Sequence, residues 1–165
     1  MSKSQLQPPE LASKHINSDV KQKSEILCLK LVKYEQVRNE IGDVTMLFNN
    51  AGISGKIGTV WELEKKSVEK VLNVNLLSHF STLREFLPAM IAKNKGNVIA
   101  TCSILGFLWG KNGAPYVASK HGLKASMECL KEELRGANAN NVKVSLVYPS
   151  LTYTNIVAGI QLQPQ

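Results

Sequence analysis

Apolar positions along the chain follow two different periods. "VTMLF" (44–48), "GNVIATCS" (96–103) and "NVKVSLVYP" (141–149) are short runs rich in strand formers, and turn residues or Pro149 close them. They predict three buried β-strands. Between the first two, apolar residues recur at helical intervals: Val68, Val71, Leu72, Leu76, Phe80, Leu83 and Leu87. They predict one long helix over 67–94, with Pro88 as a kink or junction. A second helix is predicted over 116–136, closed by Gly136. Ahead of the first strand, "SEILCLKLVKYEQVRNEIGD" predicts a short extended piece and then a helix to about Ile41, stopped by Gly42.

Strands that alternate with long helices imply right-handed crossovers and a parallel sheet flanked by helices. In such α/β sheets ligands sit beyond the carboxyl ends of the strands. The polar residues fall there: Asn49 and Asn50 after the first strand, Ser103 at the end of the second, and 149–154 after the third. The organisation expected is a polar, flexible lead-in over 1–24, one domain over 25–157 and a tail over 158–165.

Composition narrows the class. Apolar residues make up 44% of the 165, ordinary for a single soluble domain. No run reaches the length a transmembrane helix needs, and the N-terminus lacks the apolar core of a secretory signal. A cytoplasmic location is expected for the chain as it stands. The three cysteines, Cys28, Cys102 and Cys129, have no metal-like spacing and read as reduced thiols, with no metal site expected. The charge of +7 is spread along the chain without a dense basic block, so it reads as a solvated surface rather than a nucleic-acid face. Binding to nucleic acid or a phospholipid surface through that charge remains a reading from composition alone, testable by salt-dependent retention on heparin.

The candidate chemistry begins at "APYVASKHGLKAS" (114–126), where Tyr116 and Lys120 lie i and i+4 on one helix face. A tyrosine alone is a poor acid or base near neutrality, and a neighbouring ammonium favours its phenolate. Ser103 lies thirteen residues earlier at a strand end, so the loop between them can fold back and bring both hydroxyls to one ligand. A serine that holds a substrate oxygen while a tyrosine moves its proton suits alcohol oxidation or carbonyl reduction. Each element alone has a plainer reading: a surface pair, a strand-end cap, a solvent-facing Asn75, a turn at "NNAG". Order and spacing of all four together favour the chemical one.

With those residues in view, the chain resembles the short-chain dehydrogenase/reductase family over roughly 34–156. "NNAG" (49–52), "NVN" (73–75), Ser103, the Y-x-x-x-K of Tyr116 and Lys120, and "PSLTYT" (149–154) match its motifs in order and separation. "LLSHFSTLREFLPAM", "GNVIATCSILGF" and "YVASKHGLKASMECLKEEL" are most similar to the branch holding 17β-hydroxysteroid dehydrogenase 11/13-type and retinol dehydrogenase 10-type enzymes. The resemblance implies a Rossmann-type, doubly wound parallel sheet and an NAD- or NADP-dependent oxidoreductase acting on steroid, retinoid or other lipid alcohols and ketones. Carried over, it makes Tyr116 the acid/base and gives Lys120 the tuning of Tyr116 and the nicotinamide ribose. Ser103 polarises the substrate oxygen, and Asn75 holds a water in a relay to Lys120. Asn50, Ala51 and Gly52 would line the adenosine side, and Pro149, Thr152 and Thr154 the nicotinamide side. It also implies a homodimer through the two long helices, and full-length relatives on endoplasmic reticulum or lipid droplets.

The sequence departs from that family in its first part. The family opens with T-G-x-x-x-G-x-G, whose turn and helix N-terminus take the pyrophosphate; here Gly42 is the only glycine before "NNAG". Ser150 stands where the family has glycine. The expectation is a partial Rossmann sheet lacking its N-terminal strands, truncated at both ends, with an exposed strand edge and weakened cofactor binding. A second class of function is therefore carried alongside the enzyme: a catalytically inactive relative acting as a binding or dimerisation module.

Overall fold

β-branched and aliphatic residues concentrate in three short segments, and these are the strands. The computed structural model describes residues 34–40 and 42–150. The expected lead-in, the extended piece at 25–32 and the tail lie outside the described residues. Helix α1 (34–40) belongs to a unit ending at Gly42. Gly42 adopts φ +86° and donates its N–H to Arg38 O at 3.0 Å, the left-handed closure that a residue without Cβ makes cheaply.

The second unit begins at Asp43. Its strands β1 (Met46–Asn49), β2 (Gly96–Thr101) and β3 (Val142–Val147) form a parallel sheet in the order β1-β2-β3. Leu47 pairs with Val98 and Val98 with Val144; Asn49 pairs with Ala100 and Ala100 with Leu146. The period of two puts Leu47, Asn49, Val98 and Ala100 on a buried face. Met46 (52% exposed) and Phe48 (62% exposed) point the other way, as expected of a partial sheet. The strands are shorter than their apolar runs suggest. Beyond Thr101, Ile104–Gly106 turns into a short 3₁₀ helix capped by Ser103.

The long helix predicted over 67–94 is three segments: α2 (Lys65–Leu72), a π-helical turn (Asn73–Leu77) and α3 (Ser78–Ala92), with Pro88 accommodated inside α3. The buried stripe does not follow the apolar positions alone. The buried positions are Val71, Asn75, His79, Leu83, Phe86 and Met90, and Phe80 is 48% exposed. A strict four-residue repeat drifts about 40° per step around a 3.6-residue helix. The wider π turn takes up that drift and keeps 71, 75, 79 and 83 on the buried side.

Helix α4 (Ala114–Gly136) starts two residues earlier than its apolar pattern predicts, because Pro115 suits a first turn whose N–H groups need no partner. Its buried stripe runs Ser119, Lys120, Leu123, Met127, Leu130 and Leu134. At Gly122, an added Cβ would lie 3.1 Å from Leu76 Cδ2. A bare Cα there lets α4 approach the π turn closely, and that approach builds the site.

Candidate active site

Two polar residues on a core stripe need partners, because an unpaired buried amide or ammonium is expensive. Asn75, fully buried, finds them on the loop leaving β1. Its Oδ1 accepts from Ile53 N at 2.8 Å, and its Nδ2 donates to Ile53 O at 2.9 Å. The side-chain amide pairs with that backbone as a neighbouring strand would. Nδ2 also donates to Ser119 Oγ on α4, at 3.1 Å. The π turn itself is braced by Ser78 Oγ, which donates to Val74 O at 2.6 Å.

Lys120 is 3% exposed, and its ammonium donates to Thr101 O at the end of β2, at 2.8 Å. Burial pulls its pKa below the ordinary lysine value, with Cys102 acting weakly the other way. Cys102 Sγ in turn donates to Lys120 O at 3.2 Å, and burial raises that thiol's pKa. The Lys120 ammonium lies 5.7 Å from the centre of the Tyr116 ring, the geometry the i,i+4 spacing predicts. Gly52 completes the group. A Cβ built on it would sit 3.6 Å from Lys120 Nζ and 3.7 Å from Asn75 Oδ1. One small position at the carboxyl end of β1 is thus faced by a cationic donor and an amide acceptor.

The structure brings Gly52, Asn75, Tyr116 and Lys120 together. Ser103 lies at the same sheet end, where its Oγ accepts from Leu105 N at 3.2 Å. That contact is a cap, as the plainer reading has it, and among the described residues the hydroxyl proton has no acceptor. Asn50 Oδ1 accepts from Thr101 Oγ1 at 2.8 Å, and Pro149 O accepts from Ile104 N at 3.0 Å, so both rim the strand ends. Ala51 is exposed beside them. Thr152 and Thr154 lie outside the described residues.

Sequence reasoning missed Ser119, Ile53 and His79. Nothing in the sequence announces that the Ile53 backbone would be the partner of a helix amide. His79 carried a signal: it follows Asn75 by four residues, one turn further along the stripe. Its Nε2 faces Asn49 O at 3.2 Å and, facing a carbonyl, is the protonated nitrogen. Thr82 Oγ1 donates to Asn49 Oδ1 at 2.7 Å, so α3 holds the end of β1 through two polar contacts.

Burial lowers the pKa of His79; its bond to Asn49 opposes this, and the charge of Lys120 adds to it. In the window between that lowered value and the ordinary imidazole pKa of about 6.5, the unfolded chain holds more protons than the folded one. Stability therefore falls as pH drops through this window. Thermal unfolding across it should show Tm falling towards acid in the wild type and a shallower slope in His79→Gln. Equal slopes in the two proteins would remove His79 from the account.

The residues fit one side of a nicotinamide cofactor. Two N–H groups of Lys120 remain after its bond to Thr101, and the hydroxyl-rich strand ends suit a ribose and a carboxamide. The diphosphate-binding glycine turn has no counterpart in the sequence.

Comparison with known proteins agrees with the fold and the motifs. The family model for short chain dehydrogenase matches residues 4–165. Retinol dehydrogenase 10 of Xenopus tropicalis is 36% identical over 132 residues, covering 79% of this chain and 38% of the relative. The Homo sapiens retinol dehydrogenase 10 is 35% identical over the same coverage. The chain thus spans about two-fifths of the length of the curated relatives it matches, at 38%. Among solved structures, a short-chain dehydrogenase/reductase from Burkholderia phymatum in complex with NAD superposes with a TM-score of 0.71 at 31% identity, covering 79% of this chain and 46% of that one. A metagenomic short-chain oxidoreductase in complex with NADP gives 0.66 at 36% identity, covering 72% and 52%. By its motifs, its parallel sheet and this family match, the chain belongs to the short-chain dehydrogenase family.

Proposed function

We propose that this chain carries the catalytic, nicotinamide-side half of an NAD(P)-dependent oxidoreductase for hydrophobic alcohols and ketones. The observation that carries the reading is the convergence of Lys120 and Asn75 on Gly52, with Tyr116 one helical turn from Lys120. When bound, the nicotinamide supplies or accepts the hydride. Tyr116 gives a proton to a carbonyl oxygen being reduced, or takes it from an alcohol being oxidised. The buried Lys120 ammonium lies beside the Tyr116 ring and offers N–H groups to the ribose. Ser103 holds the substrate oxygen. Asn75 Oδ1 keeps a lone pair for a water beside Lys120. Asn50, Ala51 and Gly52 line the cofactor near β1, and Pro149 lines it near β3. A retinoid-like substrate is supported by the names of the relatives above, and the exposed Phe107 and Leu108 near Ser103 suit an apolar ligand.

Titration of the chain with NADH and NADPH, followed by nucleotide fluorescence and thermal shift, tests this. Saturable binding in the micromolar range is expected. A folded chain that binds neither nucleotide would sink the enzyme reading. It would favour the second one, a dimerisation module, which Leu77 and Phe80 support, half exposed on the outer side of the π turn and α3.

A further inference from the structure

Ser119 lies between Tyr116 and Lys120, wholly buried, and its hydroxyl is used at both ends. Oγ accepts from Asn75 Nδ2 at 3.1 Å and donates to Tyr116 O at 2.6 Å. The direction of this chain is fixed. The Ile53 peptide presents one donor and one acceptor to Asn75, so the amide has one orientation. Both Nδ2 protons are then committed, one to Ile53 O and one to Ser119. Having accepted from Asn75, the single Ser119 proton goes to Tyr116 O. A hydroxyl therefore connects the π turn to the peptide that carries the phenol.

We infer that Ser119 is a positioning residue: it sets the amide of Asn75 against the first turn of α4, and so fixes Asn75 Oδ1 relative to Tyr116 and Lys120. Its consequence for turnover rests on the oxidoreductase reading; its geometry does not. Packing alone would be served nearly as well by alanine, which fills almost the same volume. What alanine lacks is the acceptor for Asn75 and the donor for Tyr116 O.

The test uses the full ¹⁵N-labelled chain, with the Asn75 side-chain amide assigned by its loss in Asn75→Asp. In Ser119→Ala, exchange of the Asn75 side-chain protons should accelerate by on the order of tenfold, while the backbone amides of Val98 and Leu123 keep their protection. Ser119→Thr retains a hydroxyl and should restore the wild-type rate. Should the alanine variant fail to fold, Ser119→Cys keeps the volume with a weaker acceptor and should show a partial acceleration. In turnover, Ser119→Ala should lower kcat and shift its pH profile while leaving the cofactor KM unchanged. Unchanged exchange at Asn75 would overturn the inference. So would equal acceleration at Asn75, Val98 and Leu123, because that marks a merely structural residue. A wild-type chain with no turnover, in which Ser119→Ala still releases the Asn75 amide alone, would remove the oxidoreductase reading and uphold the positioning role.

Discussion

Tyr116→Phe should lower turnover of an alcohol or ketone by roughly 10²–10⁴-fold, the range expected when a positioned acid/base is removed. The fold should hardly notice. Tyr116 is only partly buried, and its hydroxyl makes no hydrogen bond among the described residues. Phenylalanine keeps the ring near the Lys120 ammonium, 5.7 Å from its centre in the wild type. Stability should change by no more than about 0.5 kcal/mol, so a loss of rate can be assigned to the missing proton rather than to misfolding. Nucleotide affinity should stay close to wild type, because the donors proposed for the ribose belong to Lys120. Activity of the Tyr116→Phe variant within tenfold of wild type would show that another group moves the proton, and the proposed role of Tyr116 would fall.

How far the site is legible in the sequence depends on what sets each residue's place. Tyr116 and Lys120 follow from local geometry, because i,i+4 on a helix leaves little freedom. The three strands follow from short apolar runs, although β2 stops at Thr101 where Ser103 turns the chain into a 3₁₀ helix. Asn75 stands out by motif, and its plainer reading is a solvent-facing amide. Its partner proves to be the backbone of Ile53, twenty-two residues away. That contact depends on the path of a loop, which periodicity does not encode. The π turn escapes sequence reasoning for a related reason. Apolar residues alone fit a continuous helix, and only the inclusion of Asn75 and His79 in the buried stripe reveals a four-residue repeat. Buried polar residues are the positions at which a rule built on hydrophobicity misplaces the core, and they are also the positions nearest the proposed chemistry.

Lys120→Met provides the companion test, because it should separate function from stability. Methionine matches the stem of the lysine and removes a charge that is 3% exposed. Taking an ammonium out of water is costly, and its replacement by an apolar residue of similar volume is often neutral or stabilising. Against that, Thr101 O loses its donor, a penalty of about 1–3 kcal/mol. The two effects oppose each other, so Tm should move little, whereas an ordinary core truncation would lower it clearly. Turnover should fall by roughly 10²–10⁴-fold, and nucleotide binding should weaken because the donors proposed for the ribose are gone. The alkaline limb of stability separates this account from simple core packing. Burial lowers the pKa of Lys120, so between that lowered value and the ordinary lysine value of about 10.4 the unfolded chain holds the extra proton. The penalty for the buried ammonium is full below the lowered pKa and disappears as pH rises to the ordinary one. Wild-type stability should therefore gain a rising contribution in that window, and Lys120→Met should lack it. A variant that keeps its turnover would show that the ammonium of Lys120 is not the functional group, and one that keeps the alkaline rise would show that it is not the buried charge described here.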